Sequence, residues 1–212
     1  VRAGLALLLT ISVPILTYSV ITSVQLLHQV WVLSLFGGVA LWLQLGQLSM
    51  LMKLYRESTV DPLTGLINRR VLMRQLDKLN KQGNAYCLMI LDLDRFKRIN
   101  DNYGHQVGDQ VLLEVARVLK NQIKRADIAA RFGGEEFIVV LPNTELAQSK
   151  LVAQNIADAI AMVEIKAPNG DEIYVTTSIG LCQQSGNTEE LLNRADELLY
   201  QAKSAGRNQI KF

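Results

Sequence analysis

Two adjacent carboxylates, Glu135 and Glu136, follow a Gly-Gly pair in a segment whose flanks favour β-structure. Residues 128–132 and 137–141 are strand-like apolar runs, and the glycines tolerate the positive φ angles of a tight hairpin turn. Glycine also lets a phosphate group approach the backbone. The segment therefore predicts a β-hairpin whose turn holds carboxylates able to bind a divalent cation, although acidic residues beside a surface turn are more often merely solvated.

A second acidic pair ends an apolar run upstream. Residues 88–91 suit a strand buried on both faces, and Asp92 and Asp94 follow with their side chains on the same side, because side chains alternate along a strand. If this strand lies beside the hairpin, Asp92 and Glu135 converge in an oxygen-rich site suited to Mg²⁺, which takes few protein carboxylates. A strand that simply stops in polar residues is the alternative.

Amide and carboxylate side chains with two glycines follow at residues 100–109, where we expect a loop that leads into a helix. Asn100 and Asp109 could read a base edge, since an amide both donates and accepts and a carboxylate accepts two N–H groups of guanine. Turn formation by residues 100–102 and helix capping by Asp109 are the commoner roles of such residues.

These segments, together with one motif before them at residues 61–70 and one after them at residues 200–208, resemble the GGDEF domain of diguanylate cyclases in its GGEEF form. The resemblance implies an enzyme, a nucleotidyltransferase that condenses two GTP molecules into cyclic di-GMP and releases pyrophosphate. It covers residues 61–208 through four ordered motifs: Asp61-Pro62-Leu63-Thr64-Gly65-Leu66-Ile67-Asn68-Arg69-Arg70, residues 92–109, residues 133–137, and Tyr200-Gln201-Ala202-Lys203-Ser204-Ala205-Gly206-Arg207-Asn208.

The resemblance implies a role for each matching residue. The expected metal ligands are the side chains of Asp92 and Glu135 and the backbone carbonyl of Leu93, with two Mg²⁺ ions per active site and Mn²⁺ as an alternative. Glu136 is expected either to be a further ligand or to help deprotonate the 3′-hydroxyl group. The expected nucleotide contacts are guanine reading by Asn100 and Asp109, His105 lining the site, and triphosphate binding by Lys97, Lys203 and Arg207, with Lys97 also catalytic.

Charge neutralisation and alignment matter more than covalent help in phosphoryl transfer, which suits a site of cations and basic side chains. Lys203 and Arg207 are four residues apart near the end of a helix predicted at 188–205, so they share a face. Basic residues before Gly206 also satisfy the helix dipole and the C-cap, and the segment alone favours that role.

Cyclic di-GMP contains two guanylate units, whereas each domain has one nucleotide site. We therefore expect a two-fold homodimer to be the productive unit.

One position departs from the family pattern. Members with product inhibition carry an Arg-x-x-Asp motif, and here Lys124 occupies the place of the arginine while Asp127 is the aspartate. Lysine cannot form a planar bidentate contact, so this product-inhibition site is expected to be weakened, unless these are only solvated charges at a helix end.

The N-terminal part has no charged residue from Ala3 to Met52. Residues 4–27 and 30–52 are each long enough to cross a bilayer, which predicts two transmembrane helices joined by a turn at His28 and Gln29. Basic flanks place both ends in the cytoplasm, so a multi-pass protein of the bacterial inner membrane is expected. Leu45, Leu48, Met52 and Tyr55 have the 3-4-3 spacing of a helix that could pair with its twin or face lipid.

The expected domains are residues 1–52 in the membrane, a helical linker at 53–62 and the GGDEF catalytic domain at 63–212. The fold class expected is α+β, a ferredoxin-like antiparallel sheet with packed helices of the nucleotidyl cyclase type. The predicted elements are helices at 69–81, 107–123, 145–165 and 188–205, strands at 85–92 and 173–181, and the hairpin at 128–142.

The chain has 22 basic and 20 acidic residues, and this near-neutral charge gives no indication of a nucleic-acid surface. Cys87 and Cys182 fall in predicted strands and are expected to be small buried residues without a disulfide.

Two other functions are compatible with the motifs. One is a catalytically silent module that binds GTP or cyclic di-GMP or serves dimerisation, and the other is a different nucleotidyl cyclase or polymerase-palm enzyme.

Overall fold

The structure, a computed structural model, describes residues 2–83 and 85–212, and the side chains of residues 2–11, 53, 54 and 56–58 lie outside the description. The chain forms two compact units, one ending at Tyr55 and the other running from Arg56 to Phe212.

One continuous helix, α1 (Arg2–Thr59), stands where the sequence predicted two spans. His28 and Gln29 are helical, so the turn expected there is wrong; both residues keep a backbone N–H and can adopt helical backbone angles, and the chain continues the helix through them. Within α1, Ser12–Met52 is long and apolar enough to cross a bilayer, and its most apolar stretch is not buried. The structure thus contains one candidate span among its described residues and does not support the expected pair.

A six-stranded mixed sheet forms the centre of the second unit. Its four central strands are antiparallel, whereas both edge pairings are parallel. The α+β class is therefore confirmed, but the expectation of a wholly antiparallel sheet is wrong at both edges. The strands lie in the order β1 (Ile67–Asn68), β3 (Ile128–Arg131), β4 (Glu136–Pro142), β2 (Tyr86–Leu93), β7 (Thr177–Gln183) and β8 (Ile210–Lys211).

Helices cover both faces of this sheet and create two apolar cores. The helices are α2 (Arg69–Gln82), α3 (Phe96–Tyr103), α4 (His105–Gln122), α5 (Leu146–Ala161) and α6 (Thr188–Ser204). One core joins the sheet to α3, α4 and α5, and the other joins it to α2 and α6. Cys87 is buried in the first core and Cys182 in the second, so the sheet separates the two free cysteines. A small separate hairpin contains β5 (Glu164–Lys166) and β6 (Glu172–Tyr174).

The observed helices and strands differ from the sequence expectations in several places. Helix α3 was not expected, the helix expected to reach residue 165 ends at Ala161, and the strand expected at 173–181 is divided between β6 and β7. The β5–β6 hairpin lies outside the main sheet, which is why the expected strand is interrupted.

Helix α6 lies directly on β7 at Gly180. A Cβ atom added at Gly180 would overlap the carbonyl oxygen of Ala195 and come within 2.5 Å of the backbone nitrogen of Leu199. Asn187 starts the helix with a capping box, its side chain accepting from the backbone N–H of Glu190 over 2.9 Å. The cap fixes where α6 starts, and Gly180 fixes its distance from the sheet.

Gly180→Ala should destabilise the second unit by about 1–3 kcal/mol, because backbone atoms of α6 must move to admit one methyl group. Chemical denaturation of the purified full chain measures the change. Gly134→Ala is the matched control, since a Cβ there meets no atom within 4 Å. Equal stability of Gly180→Ala and the parent chain would contradict the close contact.

Candidate active site

The register of β2 and β4 brings the predicted metal ligands together. Asp92 pairs with Glu136 across the two strands, and the N–H of Leu93 donates to the carbonyl oxygen of Glu135 over 3.3 Å. The N–H of Phe132 donates to the carbonyl of Glu136 over 2.8 Å and closes the hairpin turn. Carboxylates from two separate segments thus meet at one end of the sheet, while their role as ligands stays a prediction.

Asp92 is only 6% exposed and forms an ion pair with Lys203 of α6, with 2.8 Å between Oδ2 and Nζ. Burial raises the pKa of Asp92, and the charge of Asp94 adds to this, while Lys203 and Arg207 act in the opposite direction without cancelling it. Lys203, predicted as a triphosphate contact, therefore lies against the carboxylate that is predicted to hold the metal.

Glu135 is partly buried on the turn, and burial raises the pKa of its carboxyl group. The charges of Asp92 and Glu136 raise this pKa further, whereas Lys203 lowers it. One lysine thus faces several carboxylates, and the surplus negative charge is what a divalent cation would neutralise. Among the described residues no group of three or more His, Cys, Asp or Glu side chains is arranged to hold a metal ion. A site with few protein carboxylates is the kind that Mg²⁺ uses.

The predicted base-reading residues lie on two helices rather than in a loop. Gly104, at φ 85°, turns the chain between α3 and α4, so the expected loop at 100–109 is wrong. Asn100 lies in α3, while Asp109 is inside α4 and does not cap it, because the N-cap position belongs to Gly104. His105, the first residue of α4, is exposed.

Gly108 makes room for the side chain of Asn100. A Cβ atom at Gly108 would overlap Oδ1 of Asn100 and lie 3.2 Å from the ring of Phe96. The α3–α4 contact therefore fixes the Asn100 amide, while Lys97 is exposed on α3.

Arg207 lies beyond the end of α6, so it does not continue the helix face of Lys203 as expected. The helix ends at Ser204, and Arg207 has a φ of 66°. Its charge lowers the pKa of Asp92, and together with Asp94 it lines a cavity of about 340 Å³. The two basic residues thus reach the carboxylates from different backbone positions.

A guanidinium group that the sequence reasoning did not single out supports the hairpin turn. Arg131 donates from Nη1 to both carboxylate oxygens of Asp61, at 3.1 and 3.2 Å, and from Nη2 to the carbonyl of Gly134 at 2.8 Å. Asp61 also accepts the N–H and the hydroxyl of Thr64. Although partial burial raises the pKa of Asp61, these hydrogen bonds and the arginine charge lower it overall. The segment after α1 is thereby tied to the predicted catalytic turn.

The predicted product-inhibition residues form a turn between α4 and β3. The Asp127 carboxylate accepts the backbone N–H of Lys124 over 2.8 Å, and the N–H of Asp127 donates to the Lys124 carbonyl over 3.0 Å. The Lys124 side chain is exposed. Asp127 thus stabilises its own turn, and its part in binding product stays a prediction.

Comparison with known families identifies the domain that contains these residues. The family described as "Diguanylate cyclase, GGDEF domain" matches residues 58–209. The chain belongs to the GGDEF domain family. The matched residues contain every carboxylate and basic residue of the site above.

Curated relatives place this GGDEF domain among bacterial proteins. It is 41% identical over 161 residues to the response regulator PleD of Caulobacter vibrioides, covering 72% of this chain and 36% of that protein. It is 40% identical over 162 residues to the diguanylate cyclase DgcP of Pseudomonas aeruginosa, covering 74% of this chain and 24% of that protein. An uncharacterized protein, YhcK of Bacillus subtilis, is 39% identical over 194 residues, covering 86% of this chain and 54% of its own length. The chain thus spans about half or less of these relatives.

Solved structures share the fold of the GGDEF domain. The coiled coil and GGDEF domain of DgcB from Caulobacter crescentus, in complex with c-di-GMP, has a TM-score of 0.73 at 30% identity and covers 79% of this chain and 93% of that one. The diguanylate cyclase SiaD of Pseudomonas aeruginosa, in complex with its activator SiaC, has a TM-score of 0.72 at 30% identity, with 100% of this chain and 85% of that one covered.

Glu135→Gln should stabilise the metal-free protein at neutral pH. Because the folded-state pKa of Glu135 is raised, its ionised form disfavours folding, and this penalty disappears as the pH falls through the raised pKa toward the ordinary value of 4.5. In EDTA, the variant should therefore melt above the parent chain at neutral pH, with the difference closing in acid.

Thermal melting of the full chain across this pH range provides the measurement. Glu197→Gln, at an exposed position in the middle of α6, is the matched control and should show no such difference. A Glu135→Gln chain that is less stable than the parent at every pH would contradict the charge surplus.

Proposed function

We propose that this protein is a diguanylate cyclase that condenses two GTP molecules into cyclic di-GMP and two pyrophosphates. The observation that carries the proposal is the meeting of Asp92, Glu135 and Glu136 at one sheet end, with Lys203 2.8 Å from Asp92. The cyclase DgcP and the c-di-GMP complex of DgcB, which resemble this chain, support the same activity.

Asp92, Glu135 and the Leu93 carbonyl would hold Mg²⁺, two ions per site, with Mn²⁺ as an alternative. Their oxygen donors fit a hard cation. Burial first, and then the charge of neighbouring carboxylates, raises the pKa of both carboxyl groups, and a bound cation would relieve that charge. When bound, the metal would supply positive charge to the attacking 3′-oxygen and the leaving pyrophosphate.

The remaining side chains bind and orient the nucleotide. Lys97, Lys203 and Arg207 place positive charge where the triphosphate lies, and this charge stabilises the departing pyrophosphate. Glu136, as the group that takes the proton of the 3′-hydroxyl, lies across the strand pair from Asp92. Guanine is read by Asn100 and Asp109, one on each of two packed helices, and His105 lines the same site.

Two copies of the chain must cooperate, because one domain supplies one nucleotide site and the product joins two guanylates head to tail. We place the pairing in the catalytic domain and in α1, where Leu45, Leu48 and Met52 are exposed along the helix. Each copy would then present its 3′-hydroxyl to the α-phosphate of the other.

The apolar part of α1 would anchor the enzyme in the bacterial inner membrane, with the catalytic domain in the cytoplasm, where GTP is available. Ser12–Met52 supplies the apolar length, and the basic residues Lys53 and Arg56, which follow it in the sequence, favour the cytoplasmic side for the catalytic domain. Inhibition by product through Lys124 and Asp127 would be weak, because Asp127 already accepts a backbone N–H and lysine lacks the bidentate geometry of arginine.

Incubation of the purified full chain with GTP and Mg²⁺, followed by chromatography of the products, tests the activity. Glu136→Gln should lower kcat by about 10²-fold or more, since it removes the proton acceptor. Glu189→Gln removes an exposed carboxylate at the end of α6 opposite to Lys203, and as the matched control it should retain full activity. Binding of GTP or cyclic di-GMP without turnover would favour the silent receptor, and a different nucleotide product would favour another cyclase.

Gly108→Ala should raise the KM for GTP by about tenfold, because the new methyl group displaces the Asn100 amide that reads guanine. Alanine is the better helix former, so helix propensity does not confound the result. Steady-state kinetics measure the KM for GTP and for ITP, whose base lacks the 2-amino group of guanine. The control is Gln106→Ala, at an exposed position of α4. An unchanged KM would show that Asn100 does not contact the base.

A further inference from the structure

Asp94 is a buried carboxylate, 8% exposed, that follows the last residue of β2. Its Oδ2 accepts the hydroxyl of Thr176 at 2.7 Å and the backbone N–H of Asn208 at 3.0 Å, and its Oδ1 accepts the hydroxyl of Ser178 at 2.7 Å. Its own N–H donates to the carbonyl of Thr176 over 2.9 Å. All three groups that donate to the carboxylate are uncharged, so Asp94 joins the end of β2 to the turn after α6 through directed hydrogen bonds.

The turn after α6 has an unfavourable backbone conformation. Gly206, Arg207 and Asn208 have successive φ angles of 117°, 66° and 46°, and side chains other than glycine rarely adopt such values. Such a conformation persists only where its surroundings hold it. Here the N–H of Arg207 donates to the carbonyl of Ala202 at 3.1 Å, and the next N–H donates to Asp94.

The turn carries one of the basic residues of the proposed cyclase site. Arg207 and Asp94 line the same cavity of about 340 Å³, and the guanidinium charge of Arg207 lowers the pKa of Asp92. A turn released from Asp94 could relax toward ordinary φ angles and carry the Arg207 side chain away from the site.

We infer that Asp94 is a positioning residue, which holds the Arg207–Asn208 backbone so that the Arg207 guanidinium faces the triphosphate. The inference deepens the proposed cyclase function and rests on it. Asp94 acts through the hydrogen bond to Asn208 and neither binds the metal nor contacts the nucleotide.

The hydrogen-bond geometry predicts which substitution is tolerated. The backbone N–H of Asn208 can only donate, so an amide at position 94 must place its carbonyl oxygen there. Its NH₂ group then faces the hydroxyl of Ser178, which can accept as well as donate. Asp94→Asn therefore keeps the anchor, whereas Asp94→Ala removes it and Asp94→Ser is too short to reach it.

The experiment compares these three variants in the full chain, with Ser178→Ala as the matched control because it removes a bond to Asp94 but leaves the turn anchored. Asp94→Ala should raise the KM for GTP by about tenfold with less effect on kcat, and Asp94→Asn and Ser178→Ala should stay within about threefold of the parent. In an Arg207→Ala background, Asp94→Ala should add little to the KM. Asp94→Ser takes the place of Asp94→Ala if the alanine variant does not fold.

Three results would overturn the inference: Asp94→Asn as impaired as Asp94→Ala, a higher Mg²⁺ requirement with an unchanged KM for GTP, or additive effects of the Asp94 and Arg207 substitutions. Affinity for a non-hydrolysable GTP analogue, measured by calorimetry, separates this outcome from failure of the proposed function. A parent chain that makes no cyclic di-GMP would refute the cyclase, whereas a loss of analogue affinity in Asp94→Ala but not in Asp94→Asn would still support the role of Asp94.

Discussion

The pairing of β2 with β4 is the constraint on which the rest of the site depends. All eight residues of β2 are buried and its apolar side chains alternate between two cores, so a shift of one residue would exchange the side chains that pack in each core and would turn Asp92 to the other face of the sheet. The same register sets Asp92 opposite Glu136 and joins Leu93 to Glu135. Hydrophobic burial along the strand thus determines where acidic groups meet at its end, and no interaction among those groups is needed to bring them together.

Burying these carboxylates beside one another costs stability, because burial first and the neighbouring negative charges second raise the pKa of Asp92 and of Glu135. Lys203 offsets part of it. Even with Arg207 nearby, the carboxylates outnumber the basic groups, which is unfavourable for folding but suits a bound cation. In the proposed function, a bound metal ion would relieve this surplus charge.

Sequence reasoning located the parts of the fold that have long apolar patterns. Strands β2 and β4 and the facing carboxylates were predicted, because their apolar runs and the Gly-Gly turn give local signals. Helix α3 was missed since its Asn and Asp residues favour loops, and the two-residue strands β1 and β8 have no periodicity to detect. The N-terminal helix was divided in two because apolar length was compared with bilayer thickness. The Arg131–Asp61 and Asp94–Asn208 contacts join residues that are 70 and 114 positions apart in the sequence, so no local sequence pattern predicts them.

The contact of α6 with β7 at Gly180 also affects how variation in this chain should be interpreted. The position touches neither nucleotide nor metal in the proposed site, yet the lysine carried by α6 stays within reach of Asp92 only while the helix axis remains this close to the sheet. Selection at residue 180 would therefore act on the distance between α6 and β7, and through it on the position of Lys203. A mutational scan that ranks positions by distance from the chemistry would overlook it.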